Sequence, residues 1–181
     1  MLTVERLTAP PAPMTVAEAR ERCRVDFADS DMELSAMVAA ACREFEDRAG
    51  VALITQTIRA TFDPPPLSSR IPLPIGPVLA GATATVTLDG VAFTDFALIT
   101  GTRPAIVLAD DELIIGELIV TYAAGFGAAR PSVPADVALA ILDQVAVAFD
   151  LRGMGDARGL APGGVSQAFA RVAARWRRVA A

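Results

Sequence analysis

Two hydrophobic periods alternate along the chain. Thr15-Val16-Ala17-Glu18 reads as a capping box: the Thr hydroxyl caps a helix and the Glu three residues on reaches back to the backbone, which predicts a short helix over Val16–Arg24. Ser30-Asp31-Met32-Glu33 repeats the signature and opens a longer helix to Ala49, stopped by Gly50 where a left-handed residue is needed. Leu34, Met37, Val38, Ala41 and Phe45 share one face of that helix, and Arg43–Asp47 and Glu44–Arg48 are i,i+4 pairs on the other. The period then shortens to two. Leu53–Phe62 is rich in β-branched residues, and Ala82–Leu88 alternates Thr with apolar side chains ahead of an Asp89-Gly90 hairpin turn. Further short strands are predicted at Phe96–Thr100, Ala105–Leu108 and Leu118–Tyr122, giving one small antiparallel sheet of five or six strands. Pro131-Ser132-Val133-Pro134 returns the chain to a helix over Ala135–Leu151.

Both ends depart from these periods. Residues 1–13 close on Ala9-Pro10-Pro11-Ala12-Pro13, an extended arm that cannot be helical. Gly153 to Gly164 holds five glycines and reads as a hinge; a phosphate cradle is the alternative. Beyond it Val165, Phe169, Val172, Trp176 and Val179 are spaced 4-3-4-3, with arginines alongside, so 165–181 is a basic amphipathic helix. The fold class that follows is α+β. A small helical core of three helices plus a C-terminal helix carries an antiparallel β-sheet inserted over about residues 53–123.

Composition narrows the chemistry. The chain has 181 residues, no histidine and no lysine; all 16 basic residues are Arg. The usual neutral-pH general base is missing, as is any Ser–His or Cys–His pair, a Walker-type lysine or a Schiff base. Arg holds anions but does not shuttle protons. No catalytic residue and no cofactor is read. Cys23 and Cys42 lack metal-ligand spacing and read as reduced core thiols, with a helix–helix disulfide as the alternative. Asp110-Asp111-Glu112 reads as a solvated turn rather than a cation site, and Gly125-Phe126-Gly127 as a strand-to-helix turn rather than a dinucleotide fingerprint. No signal peptide is read, and prolines interrupt the uncharged stretch between Arg70 and Asp89, so no membrane partner is expected.

Charge and hydropathy point instead to docking. Mean hydropathy is +0.45. The net charge of −5 hides an acidic body and a basic end, since residues 151–181 carry six Arg against Asp156 alone. The third predicted helix is apolar around most of its girth, so Leu142, Val145 and Phe149 are candidates for a subunit interface. Asp136, Asp143 and Asp150 recur every seven residues as one stripe. The stripe is a solvated face, a lining of an acidic lumen, or a partner for Arg from a neighbour. In the C-terminal helix Phe169, Val172 and Trp176 form an apolar seam beside Arg171, Arg175, Arg177 and Arg178. Its readings are docking on a partner protein, docking back on its own core, or contact with nucleic acid or a membrane surface. A small partner-docking or nucleic-acid-binding protein is thus one reading of the whole chain.

Several segments, taken in order, resemble head–tail connector (adaptor) proteins of long-tailed phages and phage-derived gene transfer agents. Thr15-Val16-Ala17-Glu18-Ala19-Arg20, Cys23-Arg24-Val25-Asp26 and Asp31 precede a long helix as in that family. Gly50 to Thr57, Leu73-Pro74-Ile75-Gly76-Pro77-Val78 and Val120 to Gly127 follow at the expected places, and Val133-Pro134-Ala135-Asp136-Val137 opens the third helix. The resemblance covers roughly residues 14–152; Ala148-Phe149-Asp150-Leu151-Arg152 departs from the aromatic ending common in relatives, and the arginine-rich end has no firm match. It implies a connector domain over 14–152, with its helical core at 14–50 and 131–152, in a non-enzymatic ring, usually of twelve copies. That ring would sit in the neck of a virion or phage-like particle assembled in the bacterial cytoplasm. The implied partners are other copies of the chain, the portal, the next neck or tail-completion protein, and double-stranded DNA passing through without specific binding. The portal is the implied receiver of the C-terminal helix.

Overall fold

The computed structural model describes residues 1–8, 10–26, 30–109, 114–152 and 164–177. They form an α+β fold of four α-helices and eight strands, divided into a sheet unit (1–10 and 54–128) and a helical unit (11–53 and 129–181). Residues 153–163 of the predicted hinge, the Asp110-Asp111-Glu112 turn, Arg178 and Val179 lie outside the described residues.

The sheet unit holds two antiparallel sheets rather than the one expected. The larger has the order β1-β2-β8-β4-β5, formed by β1 (Leu2–Arg6), β2 (Gln56–Phe62), β8 (Leu118–Ala124), β4 (Ala84–Leu88) and β5 (Val91–Phe93). The smaller has the order β3-β7-β6, formed by β3 (Arg70–Pro72), β7 (Ala105–Leu108) and β6 (Phe96–Ile99). In the larger sheet β2 and β8 pair with Ile58 opposite Tyr122, Ala60 opposite Val120 and Phe62 opposite Leu118, and all six side chains are buried. That is the period-two pattern of a half-covered strand. The Asp89-Gly90 turn has positive φ at both residues, 49° and 79°, as a two-residue hairpin turn requires.

Three sheet features escaped the sequence pattern. The extended arm begins with β1, which pairs Leu2 with Phe62 through Arg6 with Ile58. β3 lies inside the proline-rich loop, pairing Ile71 with Ile106. The strand expected from Leu53 starts at Gln56, because the residues before it bond elsewhere. The Leu53 N–H donates to Glu46 Oε1 at 2.8 Å and the Thr55 N–H to the Gly127 carbonyl at 2.9 Å.

In the helical unit, α1 (Val16–Cys23) has the complete capping box read at Thr15 and Glu18, and Arg24 ends it in the left-handed region at φ 56°. Helix α2 (Asp31–Ala49) ends at left-handed Gly50. Its second capping box does not form: the Ser30 side chain makes no cap bond, and the Glu33 carboxylate is taken by Arg152. Leu34, Val38, Ala41 and Phe45 are buried as the period predicts, with Cys42 and Glu46 beside them. A short 3-10 turn (Arg130–Ser132) leads into α3 (Ala135–Asp150). Helix α4 (Gln167–Trp176) is shorter than the expected 165–181, capped by the Ser166 hydroxyl accepting from the Phe169 N–H at 3.1 Å. Helices α1 and α4 each pack on both α2 and α3. No helix among the described residues is long and apolar enough to cross a membrane.

Candidate functional site

The chemistry-bearing residues of the helical unit are arginines and carboxylates that tie one helix to another. Arg20 pairs with Asp31 between α1 and α2, and Arg22 with Asp143 between α1 and α3. Arg130 reaches Glu18 at 3.1 Å, Arg152 reaches Glu33 at 2.8 Å, and Arg175 of α4 pairs with Asp136 at the start of α3. The expected pairs within α2 are present, Arg43–Asp47 at 3.4 Å and Arg48–Glu44 at 2.7 Å. Two members of the aspartate stripe, Asp136 and Asp143, are therefore paired with arginines of their own subunit. The third, Asp150, is exposed at the end of α3.

Glu18 has the most constrained carboxylate of this network. Burial works against its charge, yet hydrogen bonds from the Thr15 backbone N–H and hydroxyl and the Arg130 guanidinium outweigh that and hold its pKa below the ordinary value of 4.5. The two thiols are free. Burial, reinforced by the nearby Glu46 charge, pushes Cys42 up to about 12, and its Sγ lies 3.6 Å from Met14 Sδ. Burial also raises Cys23, with Asp150 adding to the shift. Neither thiol is an activated nucleophile. Among the described residues no group of three His, Cys, Asp or Glu side chains is placed to hold a metal ion.

The predicted docking residues separate into two sets. Phe169, fully buried, stands edge-on to Phe45 of α2 with ring centroids 5.4 Å apart and planes at 88°. Val172 is buried with it, and Trp176 is half-buried. The apolar seam of α4 thus lies on its own subunit, and the arginines Arg171, Arg175 and Arg177 are exposed. Likewise Leu142, Val145 and Phe149 of α3 are buried within the subunit, while Leu139, which pattern reading passed over, is 55% exposed. Gln144, beside the aspartate stripe, anchors the entry to α4: its Oε1 accepts the Ser166 N–H at 2.7 Å. Ser166 standing three residues before Phe169 was the available signal.

Between α1 and α3 runs an open groove of about 810 Å³. Its apolar lining comes from Leu139, Leu142, Ala146 and Val147. Glu18, Glu21, Asp143 and Asp150 line it against Arg22 and Arg24, so carboxylates are in excess, and Ser166 and Ala168 close one end. An apolar floor with a charged rim is the makeup of a protein-docking surface.

In the sheet unit the Gly125-Phe126-Gly127 segment has a packing role. The Gly125 N–H donates to the Pro77 carbonyl at 2.8 Å, its φ is 150°, and a Cβ there would strike the Ile54–Thr55 backbone.

No known family model and no curated protein matches the chain. Solved structures do match. One is a chain of the virion of a native gene transfer agent (GTA) particle, with TM-score 0.80 and 27% identity, covering 99% of this chain and 97% of that one. A chain from the neck of the empty GTA particle, computed with C6 symmetry, matches with TM-score 0.78 and 27% identity over the same shares. A chain from the neck of the native GTA particle, computed with C12 symmetry, matches with TM-score 0.74 and 26% identity, again over 99% and 97%.

Proposed function

We propose that this chain, a structural relative of gene transfer agent neck proteins, is itself a structural, non-enzymatic component of a particle neck, acting there as a head–tail connector. The observation that carries the reading is the likeness of the chain over 99% of its length to chains of GTA necks. Composition points the same way. A chain without His or Lys, whose thiols are held in the protonated form, has carboxylates and arginines for recognition and little for proton transfer.

In this reading the chain forms a ring, with C6 and C12 symmetry of the related necks as support and twelve as the proposed copy number. The ring lies between the portal and the next neck or tail component, and double-stranded DNA passes through it. An acidic body suits a DNA channel, because repulsion of phosphates favours sliding over sticking. Partner contact falls to what the subunit leaves exposed: Leu139 and the α1–α3 groove on one side, Arg171, Arg175 and Arg177 of α4 on another. Phe169 and Val172 are buried in the core of their own subunit.

The test is mass in solution, alone and with the portal. A closed particle with twelve times the 18.8 kDa chain mass is expected. A chain that stays monomeric under both conditions rejects the ring.

A further inference from the structure

The helical unit presents two surfaces of opposite character. One is the groove between α1 and α3, with Leu139 exposed in it and carboxylates in excess, Glu21 and Asp150 being exposed. The other is the outer side of α4, where Arg171 and Arg177 are exposed and no acidic residue follows Asp156 in the sequence. We infer that the outward arginines of α4 seat in the α1–α3 groove of the next copy, a head-to-tail contact that closes the ring. This rests on the ring reading of the previous subsection.

The geometry argues that the groove's arginines come from another copy. Ser166 and Ala168, at the start of α4, line the groove, whereas Arg175 near its end pairs with Asp136 at the opposite end of α3. The helix therefore runs antiparallel to α3, and among the described residues neither Arg171 nor Arg177 forms an ion pair with a carboxylate of its own groove. The carboxylate-rich groove and the exposed Arg171 and Arg177 are thus complementary patches left unmatched within one subunit. They join unlike faces of successive copies, the kind of contact that generates a ring when the rotation closes. The related GTA necks, computed with C6 and C12 symmetry, have rotations that close. The chemistry also matches: guanidinium forks bind carboxylates by paired hydrogen bonds, and arginine stems cover apolar floor such as Leu139.

Two charge-reversed chains test the contact. One carries Glu21→Arg with Asp150→Arg in the groove; the other carries Arg171→Glu with Arg177→Glu on α4. Every altered residue is exposed and none belongs to an ion pair described above. Three of the changes suit their helices, with added arginines near the ends of α1 and α3 and a glutamate in the first half of α4; Arg177→Glu, at the exposed C-cap of α4, opposes the helix dipole only at the last turn. Circular dichroism is expected to match wild type for both. Alone, each variant meets like charge at the contact and is expected to need at least about tenfold higher concentration to assemble, read by light scattering. Mixed in equal amounts, the reversed groove of one meets the reversed helix of the other, and rings of alternating variants are expected to return at wild-type concentration. That recovery also excludes misfolding as the cause of the single defects. Rings formed normally by either variant alone overturn the inference and leave the ring reading intact. Normal rings that no longer bind the portal assign the α4 face to the portal instead and overturn it equally. A wild-type chain that forms no ring, alone or with the portal, rejects the ring and this contact with it.

Discussion

At the scale of single residues, hydrogen bonding rather than position in the chain sets what each carboxylate contributes. Glu18 titrates below its ordinary value, so its stabilising charge is fully present above pH 4.5 and is lost as the pH falls through the lowered value. Acid unfolding below pH 4.5 is therefore expected to be partly flattened in Glu18→Gln, as followed by thermal melts from pH 6 to 3. Thr15→Ala removes the cap itself and should cost about 1 kcal/mol at neutral pH. The raised thiol of Cys42 makes a second prediction. With native protein at pH 8, a disulfide reagent should label Cys42 only on the timescale of unfolding, and guanidinium should release it at once. The capping box at Thr15 was legible because both partners stand within four residues of each other. The same pattern at Ser30 misled, because Glu33, the residue that would reach back to it, pairs with Arg152, 119 residues away, which no local pattern encodes.

At the scale of elements, the apolar periods located α1, α2, α3 and most of the strands, but not what each buried face meets. Phe169 looked like an anchor for another protein because a 4-3-4-3 seam is the same whether it closes on its own subunit or on a neighbour. In this subunit Phe169 packs edge-on against Phe45. Phe169→Ala should cost about 3–5 kcal/mol, and truncation after Gly164 should lower the melting temperature by uncovering Phe45. In the sheet unit, β3 went unread because three residues between prolines and serines carry no period. Gly125 was read as a plain turn; its glycine is required because β8 ends against the chain entering β2. Gly125→Ala combines a clash with strain at φ 150° and should cost at least about 1–3 kcal/mol, measured by urea unfolding.

At the scale of the whole molecule, the excess hydrophobicity that suggested a partner is used mostly inside. Val145 is fully buried, so Val145→Asp should unfold the helical unit and says nothing about assembly. Leu139→Asp is the informative change: the subunit should keep its wild-type circular dichroism and lose assembly, as read by mass in solution. Connectivity has its own consequence. Strand β1 belongs to the sheet with β2, yet residues 7–55, including α1 and α2, separate the two strands. The β1–β2 pair is thus a hairpin whose turn is about fifty residues long, against two residues between β4 and β5. Loop closure grows by about 0.6 kcal/mol per doubling of length, so this pairing begins with an entropic handicap of about 3 kcal/mol. Strand β1 should accordingly join the sheet late in refolding and leave it first. In hydrogen exchange its amides should lose protection well before those of β8, which is flanked by strands on both sides.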